Sequence, residues 1–278
     1  MLRRVVGSSE SVRGLAALSM LPVELPPGRL IHGDEGADDQ PVLWVSDRPA
    51  GADLWAALRQ AHRHTGLWPL LLDSLDDDNR RPWDDGELWP TTMTHPSDFD
   101  PEELLAQWWS DYTTIDEDDA LPAPERLAVT APYRQHWPGL AAPIPVERDP
   151  GAHAERSAAA LLAGRPWLRL GLVPTDRPSD AITVAGWQGA ANYTNDTAEL
   201  SAVLRSWKKR FGVTVIGAGF AELYVSVAAP PTTAAQATSV AAEHFAFCPD
   251  NIWQGGPSSL AGYADQLVNA PAWNFWWD

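Results

Sequence analysis

His244 and Cys248 stand four residues apart in a stretch that reads as helix, so both can project toward one point, and Asp250 follows two residues later. An imidazole, a thiol and a carboxylate brought together could contribute to a metal site or serve a hydrolase-like small-molecule enzyme. A structural reading competes with that one. His244 continues the stripe of Ala237 and Ala241, as a core or capping histidine would, and no Lys or Arg lies near Cys248 in sequence to favour its thiolate. Structural zinc needs four ligands, and Cys248 is the single cysteine of the chain. No metal and no other cofactor is expected.

Other chemical signals fail on context. His62-Arg63-His64 closes a predicted helix, where imidazoles complement the helix dipole. Gly217-x-Gly219 lacks a third glycine and opens a strand rather than a helix, so it is no nucleotide-binding fingerprint. Gly256-Pro257-Ser258-Ser259 misses the spacing of a nucleophile elbow, and Walker A, HExxH and CxxC patterns are absent. The carboxylates from Asp73 to Asp78 lack the alternation and central glycine of a calcium loop. No catalytic residue is nominated.

Aromatic and acidic content points instead toward binding. Fifteen tryptophans are many for 278 residues, and exposed indoles are favoured interface anchors. Trp187, Trp253, Trp276 and Trp277 therefore join His244, Cys248 and Asp250 as candidate binding residues. Trp276 and Trp277, adjacent on a strand, would point to opposite faces. The aromatic run of Trp273 to Trp277 is expected to be packed rather than frayed. Net charge is −17, and between Asp73 and Asp119 sixteen Asp or Glu face only Arg80 and Arg81. Asp76, Asp77, Asp78, Asp84 and Asp85 are the candidate acidic surface. Such a balance argues against nucleic acid, whose phosphates demand clustered cations, and suits a basic protein partner. No run approaches the length of a membrane span, and Arg3-Arg4 is not followed by an apolar signal core, so a cytoplasmic location is expected.

The elements that must position these residues can be read from periodicity. Residues 1–40 are expected to be an irregular leader. Val42 to Val45 and Leu67 to Leu72 read as buried strands around a helix from Ala52 to His64, giving a strand-helix-strand N-terminal part over 41–119. Asp100-Pro101-Glu102-Glu103 is an N-cap, first-turn proline and capping-box signal for a further helix. Seven prolines mark 120–150 as a connector. In 151–278, strands are expected at Trp167 to Val173 and Ile182 to Trp187. A capped helix follows, carrying Leu200, Val203, Leu204, Trp207 and Phe211 on one face and stopping at Gly212. A hairpin of Val213 to Ile216 with Leu223 to Val227, a helix from Thr233 to Phe247, and a strand at Trp273 to Trp277 complete the pattern. This predicts an α+β protein whose C-terminal domain is a split-βαβ (ferredoxin-like) antiparallel sheet with its helices on one face.

Arg210-Phe211-Gly212, Pro230-Pro231-Thr232-Thr233, Glu243 to Asp250 and Trp273-Asn274-Phe275-Trp276-Trp277-Asp278 resemble the bacterial family catalogued as domain of unknown function 4253, over about residues 167–278. The resemblance implies a C-terminal domain of actinobacterial and related cytoplasmic proteins and brings no established activity, cofactor or catalytic residue. The expected function is a non-enzymatic protein-binding module, of the immunity type that neutralises a basic toxin. The alternative is the hydrolase-like enzyme with a pocket at His244, Cys248 and Asp250.

Overall fold

Leu67-Trp68-Pro69-Leu70-Leu71-Leu72 is apolar at every position, which suits a strand covered on both sides. In the computed structural model, which describes residues 14–34, 40–75, 80–115 and 122–278, it is strand β3 (Leu67–Leu72), buried throughout. Six further strands join it: β1 (Gly28–His32), β2 (Pro41–Pro49), β4 (Arg169–Pro174), β5 (Val213–Ala218), β6 (Glu222–Val227) and β7 (Ala272–Trp276). Among the described residues they form one sheet in the order β1-β2-β4-β3-β5-β6-β7. All neighbours are antiparallel except β3 and β5, which run parallel at Leu71 and Leu72. Proline explains why that ladder is short. Pro69 has no N–H to give, and the Val215 carbonyl is taken instead by the Trp68 indole at 3.0 Å. Gly217 allows the close approach, because a Cβ there would stand 2.5 Å from the Leu71 carbonyl oxygen.

Helices cover both faces. α1 (Ala52–Thr65) and α4 (Pro150–Gly164) pack on each other, α1 against β3 and α4 against β5 and β6. On the other side α6 (Ala198–Phe211) packs on β5, and α2 (Pro101–Thr113) joins α6 to α7 (Ala234–Phe247). Trp207 of α6 stacks on Phe275 of β7 with ring centroids 5.4 Å apart and meets Phe247 of α7 at 4.8 Å. Local signals account for the helix ends. Asp100 accepts from the N–H groups of Glu102 and Glu103, Thr233 accepts from Gln236, and Gly212 closes α6 in the left-handed region at φ 65°. Three short helices complete the set: α3 (Ala123–Val129), α5 (Ala181–Ala185) and α8 (Asp250–Trp253), with α9 (Leu260–Leu267) leading toward β7.

The architecture is α+β, yet it departs from the expected split-βαβ domain. The sheet has seven strands, it is mixed, and β5, β6 and β7 lie as neighbours in chain order. β4 is inserted between β2 and β3, so the two halves of the chain share one sheet. The segment expected to be an irregular leader supplies β1, and the connector contains α3. Ile182 to Trp187 is not a strand. Its β-branched run, Ile182-Thr183-Val184, is instead α5, held because Thr183 Oγ1 donates to the Thr197 carbonyl at 2.8 Å and Gly186 ends the turn at φ 72°.

One ion pair ties the connector to the sheet's helical cover. Glu243 is fully buried and receives both terminal nitrogens of Arg210, each at 2.6 Å, the Trp207 indole at 2.7 Å and the Ala141 N–H at 2.7 Å. Every carboxylate oxygen is thereby matched, which is the condition for keeping such a charge in a core. Among the described residues no helix is long and apolar enough to cross a membrane.

Candidate functional site

His244 lies on the last turn of α7, between Trp207, Trp273, Phe275 and Tyr263, with no exposed surface. Its Nδ1 is 3.1 Å from the Tyr263 hydroxyl. Asn251 donates to that hydroxyl at 3.0 Å, which leaves the hydroxyl's own proton free to be donated to Nδ1. Nε2 has no hydrogen-bond partner among the described residues, and the ring is enclosed by aromatic neighbours, with the His244 and Trp273 ring centroids 4.4 Å apart. Burial lowers the pKa to about 3, so the ring is neutral.

Cys248 and Asp250 are equally enclosed, and what they touch is the outer edge of β7. The Cys248 thiol donates to the Trp276 carbonyl at 2.9 Å. Asn251 donates to the Asn274 carbonyl at 2.8 Å and accepts from the Trp276 N–H at 3.1 Å. Asp250 accepts from the Asp278 N–H at 3.0 Å and from the Tyr193 hydroxyl at 2.6 Å. On the side of β7 turned away from β6, the Asn274 carbonyl and the Trp276 N–H and carbonyl meet Cys248 and Asn251, and just past the strand the Asp278 N–H meets Asp250. The Cys248-Pro249-Asp250-Asn251 corner thus covers the C-terminal part of that edge. Burial pushes the Cys248 thiol pKa up, against reactivity. Replacing Asn251 with Ala is expected to cost about 1–3 kcal/mol, since it strips a polar partner from two backbone groups and a buried phenol. Urea unfolding midpoints measure this, and an unshifted midpoint would mean that water serves the edge equally well.

The remaining nominated residues scatter. Trp187 is buried and donates to the Gly219 carbonyl at 2.8 Å; Trp277 is buried against it at 5.8 Å. Trp253 is half-buried under the Arg126 guanidinium, which lies 4.3 Å from its ring centroid. Trp276 alone of these indoles keeps substantial exposure, at 38%. Asp84 is bound to Arg29 at 2.6 Å, and Asp85 accepts from the His32 N–H at 2.7 Å, so both hold their own loop in place. Asp76, Asp77 and Asp78 lie outside the described residues. Among the described residues no group of three or more His, Cys, Asp or Glu is placed to hold a metal ion.

A constellation that sequence reasoning missed occupies the end of the sheet where β3 and β5 finish. Asp73, one residue past β3, accepts from the Trp167 indole at 3.0 Å through Oδ1 and from Arg165 at 2.6 Å through Oδ2. Tyr224 of β6 completes the group. Its hydroxyl bonds both Asp73, at 3.2 Å, and Arg165, whose guanidinium lies over its ring at 5.0 Å. Strand register sets Glu222 opposite Trp276, on the same face as Tyr224. Burial opposes the Arg165 charge, but Tyr224 and Asp73 outweigh it and raise its pKa; burial and Asp73 push the Tyr224 phenol up. The group offers a fixed cation, a neutral phenol, two carboxylates and two half-exposed indoles. That inventory suits recognition. The signal that could have found it is position, because Asp73 sits just beyond the carboxyl end of a buried strand, where α/β sheets gather ligands.

Residues 169–278 match the family model described as Domain of unknown function (DUF4253). No curated protein matches the chain, and no solved structure does. The DUF4253 segment begins at the first residue of β4 and takes in the whole β7 edge clamp. It supplies Tyr224, Glu222 and Trp276 to the constellation, whereas Asp73, Arg165 and Trp167 come from outside it. The group is therefore shared between the DUF4253 segment and the preceding chain.

Proposed function

We propose that this chain is a non-enzymatic protein-binding module of the bacterial cytoplasm, contacting its partner through Trp167, Arg165, Glu222 and Trp276. The observation that carries the reading is the contrast in access. Trp167 is 49% and Trp276 38% exposed beside an Arg–Asp–Tyr cluster, whereas His244 and Cys248 show no surface and Asp250 shows 1%. Trp and Arg on a rigid scaffold are the residue types that dominate interface energies. The net charge of −17 favours a cationic partner through steering, and a basic toxin neutralised in an immunity-type pairing fits that chemistry. The alternative enzyme at His244, Cys248 and Asp250 gains no support from groups that are enclosed and committed to β7.

The test is a double variant, Trp167→Ala with Trp276→Ala, in which both truncations are at half-exposed positions. It should fold and melt close to the wild type. Cross-linking capture at low and at high salt should lose the partner that the wild type recovers, by about 30-fold or more in affinity if each indole is worth about 1–2 kcal/mol. Recovery of the same partner at equal affinity would overturn the assignment of this surface.

A further inference from the structure

The β6–β7 ladder sets a carboxylate beside an indole on the face where α4 packs against β5 and β6. Glu222 lies opposite Trp276, whose N–H and carbonyl turn away from β6 to Asn251 and Cys248. This is therefore a non-hydrogen-bonded pair, the class in which facing side chains come closest, with Cβ atoms about 4.5–5.5 Å apart. The Glu222 carboxylate accepts from the Ala221 N–H at 3.1 Å through Oε2, while Oε1 receives no hydrogen bond and is open to solvent. Glu222 makes no ion pair among the described residues. Gly219 draws the acids together, because a Cβ there would stand 2.3 Å from Glu222 Oε2 and 3.3 Å from Asp73 Cβ. Of the two carboxylates bordering that glycine, Asp73 is matched by Arg165 at 2.6 Å. Arg81, which lies over the Phe220 ring at 5.4 Å, pairs with Glu87 at 3.0 Å. The charge left over is that of Glu222, and the next charged residues in the chain after Asp73 are Asp76, Asp77 and Asp78, of the same sign.

The chain itself shows what fits such a pair. Arg165 lays its guanidinium over the Tyr224 ring at 5.0 Å and donates to Asp73, so one planar cation serves a ring and a carboxylate together. Nearer the β7 edge, Trp276 and Glu222 present the same combination to solvent. A guanidinium stacks on an indole and forks onto a carboxylate, whereas an ammonium is a compact and more strongly hydrated charge. We propose that Glu222 and Trp276 form a docking site for an arginine side chain of the protein partner, its guanidinium lying on the indole and donating to Glu222 Oε1. The proposal rests on the partner reading of this surface and specifies what the partner must display there.

The test titrates the full isotope-labelled chain with acetyl-Ala-Arg-Ala-amide in the millimolar range at constant ionic strength, following the Trp276 indole N–H resonance, assigned with Trp276→Phe. A saturable shift is expected. The lysine analogue should bind about threefold more weakly, the increment of a stacked guanidinium at an exposed site. The citrulline analogue, similar in shape but uncharged, should not saturate. Glu222→Gln keeps an acceptor for the Ala221 N–H, so it should melt like the wild type while binding the arginine peptide about tenfold more weakly. Should that variant fail to fold, the three peptides on the wild type still decide. No saturable shift, equal binding of the lysine or citrulline peptide, or unchanged affinity in folded Glu222→Gln would overturn the arginine site. Partner capture is read separately. Lost capture in the Trp167→Ala, Trp276→Ala variant beside a negative titration would keep the surface and remove the arginine, whereas unchanged capture beside a positive titration would keep the arginine site and remove the partner reading.

Discussion

A chain lacking residues 272–278 should fail to fold. The deletion removes β7, and with it Trp273, Phe275 and Trp277, each at most 2% exposed. These rings close the cluster around Trp207, Phe247 and His244, so their loss opens a cavity that neighbouring helices cannot fill. Large aromatic truncations in cores cost about 3–5 kcal/mol each. Three of them are comparable with a total stability of about 5–15 kcal/mol. The same deletion leaves Cys248, Asp250 and Asn251 without the backbone groups they satisfy, and it exposes β6 as a new edge. Circular dichroism and thermal melting decide the matter: a cooperative transition at the wild-type temperature would show that the segment is dispensable to the core.

Stability should fall steeply as pH drops from about 6.5 toward about 3, and His244 should be a major cause. In the unfolded chain its imidazole protonates near 6.5, whereas in the folded protein burial holds the pKa at about 3. Between those values the unfolded state binds more protons than the native state, so stability rises with pH across the window and is lost on acidification. The limiting slope for one such group is about 1.4 kcal/mol per pH unit. Tyr263 is the titratable residue in contact with the ring, and it stays neutral throughout this range because burial raises its pKa. The measurement is a series of urea unfolding curves on the wild type and on His244→Gln, which retains an acceptor for Tyr263. The variant should show a shallower acid limb over the same interval. Parallel limbs would place the acid sensitivity elsewhere, for example in Glu155, whose carboxyl is held below its usual range despite burial by hydrogen bonds from Gln60 and Arg59.

Local structure was legible wherever neighbouring residues determine it. The apolar runs of β2 and β3, the capped start of α2, the amphipathic stripe of α6 and its Gly212 stop all depend on residues within one or two turns. Ile182-Thr183-Val184 misled because β-branching favours strands in general, and here hydrogen bonding to Thr197 and Ser201 overrides that preference. The place of β4 between β2 and β3 could not be read at all, since it depends on pairing between segments far apart in the chain. The same limit hid the candidate site. Asp73 looked like one more acid in a long acidic stretch until Arg165, Trp167 and Tyr224 were brought to it. Charge counting likewise could not show that Asp84 and Asp85 are partnered by Arg29 and His32, which lie more than fifty residues earlier. Asn251 drew no notice, because nothing about a polar residue after Pro249-Asp250 reveals that a strand edge will meet it.

The insertion of β4 also has a temporal consequence. Synthesis at about 5–20 residues per second delivers β2 and β3 on the order of 5–20 s before Arg169 of β4 emerges. During that interval two strands wait for the partner that belongs between them, one of them apolar over its whole length. Direct pairing of β2 with β3 would be a trap, because β4 must later separate them. Nascent chains of this protein should thus be clients of co-translational holding, with their commitment to the native sheet deferred until the DUF4253 segment begins to appear.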